Sequence, residues 1–245
     1  MQAMLFSAGY GSRLKPLTDS MPKALVEVGN KPLIQWNIEK LIREGCTNLV
    51  VNVHHFPDMI IDFLQRNDNF GITIHVSDER EQLLDTGGGL WKAAVFFDLD
   101  EPVVCHNVDI LSNLSLNDLI RFHSQNRALA TVAVRNRHTQ RYLVFDQNMQ
   151  LSGWINHESG ETRSWRIAEG QPYSKMAFSG IHVVSPEIFR LPGREGKFSI
   201  IDSYLELSAN YKILGYPDTS SIWQDVGKPN QLAQAGDLLE QMGMM

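Results

Sequence analysis

At 245 residues, 43% hydrophobic and 20% charged, the chain is long enough to bury a sizeable core as one α/β domain, and its composition is that of an ordinary globular protein. A net charge of −6, with no basic run longer than a pair, argues against a nucleic-acid surface, and no apolar run approaches the roughly 20 residues of a membrane span. The two cysteines, Cys46 and Cys105, lie far apart beside apolar runs and read as buried thiols, not a disulfide or a metal pair. The segment from Met1 to Phe6 is too short and uncharged for a signal peptide, so a soluble cytoplasmic protein is expected.

In chain order, a short apolar run from Met4 to Phe6 leads directly into Ser7-Ala8-Gly9-Tyr10-Gly11-Ser12-Arg13. Small side chains let a phosphate approach the backbone N–H groups, whose dipoles favour its negative charge. Arg13, Lys15 and Lys23 add full positive charges, and arginine can take two phosphate oxygens at once. Two familiar phosphate loops are excluded. Leu14 stands where a dinucleotide fingerprint needs its third glycine, and no Gly-Lys-Ser/Thr tripeptide closes a Walker loop.

Asn30-Lys31-Pro32 predicts a helix start with proline in the first turn, continued at helical spacing to Ile42 and stopped by Gly45. Leu49 to Val53 reads as a buried strand ending at His54-His55, Pro57 to Gln65 as a helix, and Ile72 to Val76 as a strand. This alternation implies parallel pairing with helices on both faces, and ligands in such sheets bind beyond the carboxyl ends of the strands. The histidine pair leaves its strand on opposite sides, so one packed and one solvated ring is expected, not a shared ion.

Leu84 to Ala94 places three glycines, Gly87-Gly88-Gly89, at the start of a helix, where they imply close approach or unusual dihedrals. Pro102 to Asp109 is a buried strand ending in a carboxylate on the ligand edge, where it can hold a hard cation against phosphate oxygens. A helix over 115–125, capped by Ser115, and a strand over 128–134 follow. Residues 141–146 and 151–155 read as two strands around a polar turn, 157–174 as a long loop or lid, and 176–184 as a strand. Trp223-Gln224-Asp225-Val226-Gly227-Lys228-Pro229 then opens a last helix running towards Met242.

Phe6 to Thr18, followed by Pro22-Lys23, resembles the signature of the sugar-1-phosphate nucleotidyltransferases, roughly Leu-x-Ala-Gly-x-Gly-x-Arg-Leu-x-Pro-Leu-Thr and then Pro-Lys. The Thr-Gly-Gly-Gly turn at 86–89 and the Trp-x-Asp-Val-Gly-Lys-Pro segment at 223–229 extend the resemblance over most of the chain. It implies a single α/β domain of Rossmann-like, GT-A-like form, with a mixed, mostly parallel sheet flanked by helices and a small acceptor-binding β layer. Residues 1–127 would mainly hold nucleotide, 128–222 mainly sugar phosphate, and 223–245 would supply a second carboxylate and the last helix.

By the same resemblance, Ser7, Ala8, Gly9 and Gly11 bind the triphosphate, with Gly88 and Gly89 at the base and ribose. Arg13 and Lys23 serve catalysis, Asp109 and Asp225 bind Mg²⁺, and Gly180 and Lys175 touch the sugar phosphate. The family carries glycine before its first metal aspartate; here that position is Val108, which puts the pocket's shape in question. The implied partners are a nucleoside triphosphate, UTP favoured, and a sugar 1-phosphate, acted on by a monomer or homodimer. Within the family, the glycine turn, the short chain and the strand at 178–181 most resemble uridylyltransferases acting on N-acetylmuramate 1-phosphate in cell-wall recycling, with guanylyltransferases of mannose or heptose 1-phosphate next.

The residues suit a direct displacement. No Gly-x-Ser-x-Gly nucleophile elbow is present, and a sugar 1-phosphate oxygen, already ionised at neutral pH, needs no general base. Two other classes share some features. A glycosyltransferase would use an Asp-x-Asp motif, which Asp98-Leu99-Asp100 spells before its strand instead of at its end. A non-catalytic nucleotide-sugar sensor is favoured by Val108 alone.

Overall fold

The computed structural model describes residues 1–164, 172–191 and 194–243. In chain order the strands and helices are β1 (Gln2–Phe6), β2 (Glu27–Val28), β3 (Lys31–Pro32), α1 (Leu33–Arg43), β4 (Asn48–Val53), α2 (Pro57–Arg66), β5 (Thr73–Asp78) and α3 (Asp85–Ala93). They continue with β6 (Val103–Asn107), β7 (Ile110–Ser112), α4 (Leu116–Asn126), β8 (Ala130–Arg135), β9 (Arg141–Phe145), β10 (Leu151–Asn156) and β11 (Thr162–Ser164). The last are β12 (Ser174–Val184), α5 (Ile200–Leu207), β13 (Ile213–Pro217), β14 (Trp223–Asp225) and α6 (Pro229–Gln241). No helix among the described residues is long and apolar enough to cross a membrane.

β1 lies at the centre of the sheet, parallel to both β4 and β6, and β5 adds parallel to β4. Ala3 and Leu5 face one hydrophobic cluster with α1, α2 and α4, while Met4 and Phe6 face a second with α3 and α5. Burial on both faces is why β1 reads as a continuous apolar run instead of an alternating one. β12 runs antiparallel to β6 and β8, and β13 adds parallel to β8, so the sheet is mixed but mostly parallel.

The small β layer expected after residue 128 is joined to this sheet. β12 is 11 residues long; its first three residues pair with β9 and its remainder with β6 and β8. The register shifts between Phe178 and His182, where Gly180 has φ +78°. β9, β10 and β11 then hydrogen-bond in succession.

Two local expectations change. Pro32 caps α1 in extended geometry instead of sitting in its first turn, because Lys31–Pro32 pairs with Glu27–Val28 as a two-stranded hairpin. The loop expected over 157–174 contains β11 and the start of β12, since Thr162 to Ser164 finds hydrogen-bond partners on β10; residues 165–171 lie outside the described residues. The two cysteines are free and buried as expected, with burial pushing the Cys46 thiol up to about 11. A third cluster packs α6, through Ala235 and Leu239, onto Leu33 and Trp36 of α1 and onto Leu14, fixing the chain just beyond the glycine loop.

Candidate active site

The carboxyl ends of β1, β4 and β6 open into a cavity of about 400 Å³. One wall is the loop from Ser7 to Arg13. A Cβ placed on Gly9 would meet no protein atom within 4 Å, so the space beside it is left for something other than packing. Gly11 is constrained differently: its φ is +64°, and a Cβ there would lie 2.8 Å from Thr18 and 2.9 Å from the Lys23 side chain. Thr18, almost fully buried, donates its hydroxyl to the Gly11 carbonyl at 2.9 Å and so closes the loop.

Lys23 and Asp109 also line the cavity, and they form an ion pair, the lysine largely buried. The turn that aims Asp109 is fixed from two sides, by the Val108 N–H donating to the Phe6 carbonyl at 3.1 Å and by Asn37 donating to the Val108 carbonyl at 2.9 Å. Val108 is 4% exposed, joins the first hydrophobic cluster and needs no left-handed backbone. Its side chain therefore packs largely into the core, while Val108 also borders the cavity wall.

Asp225 is brought to Asp109 by a separate two-stranded sheet. β14 pairs antiparallel with β7, setting Asp225 opposite Ile110, and the Val226 N–H donates to the Asp109 carbonyl at 2.8 Å. A Cβ on Gly227 would fall 2.6 Å from Arg13 Nη2 and 2.7 Å from Asp225 Oδ1, which puts guanidinium and carboxylate side by side. Asp109 gives one carboxylate oxygen to Lys23, and Asp225 Oδ1 accepts from the Gly227 N–H at 2.7 Å. The second oxygen of each has no hydrogen-bond partner among the described residues, leaving two hard oxygen donors for a divalent cation.

Behind Asp225, Trp223 donates its indole N–H to the Ser179 carbonyl at 2.8 Å and lies under the Arg137 guanidinium, 4.8 Å from the ring centre. Burial holds the Arg137 pKa below its usual value, while the Asp225 charge raises it. Gly180 does not reach the cavity. The space a Cβ would take there is filled by Ile110 and by Asn107, whose own side chain is the one that lines the wall.

Gly88 and Gly89 are also away from the cavity wall, buried inside α3. The helix starts where the carbonyl of Phe198 accepts the Gly87 and Gly88 N–H groups at 2.9 and 3.3 Å, so protein, not phosphate, satisfies them. A Cβ on Gly88 would sit 2.2 Å from the Gly196 carbonyl. From this turn it is Leu83, Asp85 and Thr86 that face the cavity. Lys175 is exposed on β12, with its ammonium over the Tyr173 ring, and is no part of the wall. His54 and His55 are both half-buried and both pack against Tyr10, in place of one packed and one solvated ring. Asp98-Leu99-Asp100 lies at the amino edge of the sheet, where Gln2 at the start of β1 donates to the Asp98 carbonyl at 2.6 Å.

The cavity also holds Asn52 and Lys197, which sequence reading missed. Asn52 looks like any polar residue in an apolar strand. Lys197 had a fainter signal, its position in the glycine-flanked cationic stretch at 193–197.

A phosphate-sized loop with backbone N–H groups, three cations and two converging carboxylates can bind and polarise a polyphosphate. The nucleotidyl transferase family model matches residues 2–242. The chain belongs to the nucleotidyl transferase family.

Among relatives in that family, the N-acetylmuramate alpha-1-phosphate uridylyltransferase of Caulobacter vibrioides is 30% identical over 97% of each chain. The mannose-1-phosphate guanyltransferase of Yarrowia lipolytica is 28% identical over 94% of this chain, which spans only 61% of that protein's length. The fold is shared with the inositol-1-phosphate CTP transferase from T. maritima at a TM-score of 0.77 and 14% identity, covering 98% of this chain and 95% of the other.

Proposed function

We propose that this protein transfers a nucleotidyl group from a nucleoside triphosphate to a sugar 1-phosphate and releases pyrophosphate. The observation that carries the reading is the convergence of Asp109, Asp225, Lys23 and Arg13 at the mouth of the glycine loop. The sugar phosphate oxygen attacks the α-phosphorus in line; the new P–O bond forms as the bond to the β-phosphate oxygen breaks, and its electron pair leaves with pyrophosphate. Backbone N–H groups of Ala8 to Gly11 hold the triphosphate, Arg13 neutralises the leaving pyrophosphate, and Lys23 meets the α-phosphate or the attacking phosphate. Asp109 and Asp225 would hold Mg²⁺, which when bound supplies charge neutralisation to phosphate oxygens. Lys197 adds a cation to the same cavity.

Catalysis then rests on positioning and charge, with no protein nucleophile. Residues 128–222 supply the acceptor side and 1–127 the nucleotide side. We favour uridylyl transfer to N-acetylmuramate 1-phosphate, because the match to the Caulobacter enzyme covers 97% of both chains. Guanylyl transfer to mannose 1-phosphate is the second reading, supported by the guanyltransferase similarity.

The test is pyrophosphate release with Mg²⁺ over a matrix of nucleoside triphosphates and sugar 1-phosphates that includes both acceptors. Release that requires one triphosphate and one sugar phosphate is the expected result and names both substrates. Silence across the matrix, with nucleotide-sugar still bound, would overturn the transferase reading in favour of a sensor.

A further inference from the structure

The geometry points to Glu79 as the positioning residue that holds the phosphate loop in its binding shape, through Asn52 at the loop's start and His54 at its middle. This rests on the loop being the triphosphate cradle proposed above. Glu79 follows β5 and is 1% exposed. Its Oε1 accepts from Asn52 Nδ2 at 2.7 Å, and Asn52 Oδ1 in turn accepts the Ser7 N–H at 2.7 Å. Only this orientation of the Asn52 amide serves both neighbours, since Ser7 brings a donor and the carboxylate an acceptor. Glu79 Oε2 accepts the Leu84 N–H at 3.0 Å, tying in the turn whose next residues, Asp85 and Thr86, line the cavity.

A second arm leaves from the Glu79 backbone. Its carbonyl lies 2.7 Å from His54 Nδ1, which must therefore carry the proton. In that tautomer Nε2 accepts from the Tyr10 hydroxyl at 2.9 Å. One residue thus reaches the loop at positions 7 and 10. Gly89 gives the carboxylate its space, since a Cβ there would lie 2.7 Å from Glu79 Oε1. A buried carboxylate is costly to desolvate, and packing alone needs none. Burial raises the Glu79 pKa, opposed by the hydrogen bonds from Leu84 and Asn52.

The polarity of the chain can be reversed without losing a bond. Glu79→Gln alone sets an amide N–H against Asn52 Nδ2 or the Leu84 N–H, and Asn52→Asp alone sets two carboxylates together. In the double variant E79Q/N52D, the new carboxylate at position 52 accepts from both the Ser7 N–H and the new amide at position 79. The oxygen of that amide still accepts the Leu84 N–H. The full-length protein and the three variants would be compared by calorimetric titration with the triphosphate that the wild type uses, by KM for each substrate, and by thermal melting.

Each single variant is expected to weaken triphosphate binding about tenfold, the effect of one lost buried hydrogen bond. KM for the sugar 1-phosphate should stay within about twofold, and the double variant should recover triphosphate affinity to within about threefold, on the same one-bond scale. Folded single variants that bind triphosphate like the wild type overturn the inference, as does a folded double variant that stays impaired. Should a single variant fail to fold, the double variant decides by the same measure. A wild type that binds no triphosphate fails the functional reading and this inference with it, which separates the two failures.

Discussion

A methyl group on Gly227 would press on Arg13 Nη2 at 2.6 Å and on Asp225 Oδ1 at 2.7 Å, both ends of side chains that serve the proposed chemistry. The arginine end is flexible, so Gly227→Ala should displace the guanidinium instead of unfolding the chain. We expect kcat/KM to fall at least about tenfold, the scale of a misplaced binding group, with an unchanged melting temperature. A variant as active as the wild type would show that Arg13 works from another position. Lys23→Ala and Asp109→Ala remove the ion pair at the cavity mouth. Each should lower turnover by about 10² or more, as expected for loss of preorganised charge, while circular dichroism stays native. Near-normal activity in either would sink its assigned role. These residues were legible in the sequence because glycine, cation and carboxylate are chemically distinctive at fixed spacing. Lys197 was not, because its approach to the cavity depends on the Phe198 backbone bonding across the start of α3, a contact between segments over a hundred residues apart.

At the scale of elements, the triple glycine shows how far such reading goes. The need for small residues was legible; what fills their space was not. Phe198 crowds Gly87, the Gly196 carbonyl crowds Gly88 and the Glu79 carboxylate crowds Gly89, so all three glycines serve close packing inside the protein. A backbone carbonyl 2.2 Å from a new Cβ cannot rotate away, unlike a side-chain end. Gly88→Ala should therefore push the 194–198 segment off α3 and cost about 1–3 kcal/mol, typical of overpacking, read as a lower urea midpoint. Because Lys197 rides on that segment, triphosphate affinity should fall with it; unchanged stability and affinity together would contradict this account. β13 escaped notice for a related reason. Its Gly215 makes room for Phe145 and Met149, and Pro217 is its last residue, so neither residue marks a strand by itself. The strands with the plainest apolar runs, β1, β4 and β6, are buried on both faces, and β5, β8, β9, β10 and β12 also lie where strands were expected.

Across the whole molecule, three buried histidines govern how the fold responds to acid. His182, on β12, is hydrogen-bonded to the Tyr204 hydroxyl, and burial lowers its pKa to about 3. His106, on β6, is lowered to about 4 by burial and by the Lys40 charge; its Nδ1 lies 2.9 Å from the Asn107 carbonyl, and its Nε2 has no hydrogen-bond partner among the described residues. His123, held by Thr131 and Ser185, is likewise lowered to about 4 by burial. In the unfolded chain each titrates near its ordinary value of 6.5. Between 6.5 and about 4 the unfolded state therefore binds protons that the folded state refuses, and stability falls as pH falls. At pH 5 each histidine withdraws on the order of 2 kcal/mol relative to neutral pH, a large share of a domain's net stability when summed. Glu79 acts with the opposite sign: its raised pKa means that the folded state takes up a proton more readily than the unfolded one, which offsets part of the loss. The balance of three groups against one predicts a urea midpoint that drops steeply from pH 7 to pH 5, with net proton uptake on unfolding near pH 5. A midpoint flat across that range would mean that these histidines are already protonated in the folded protein, against their burial.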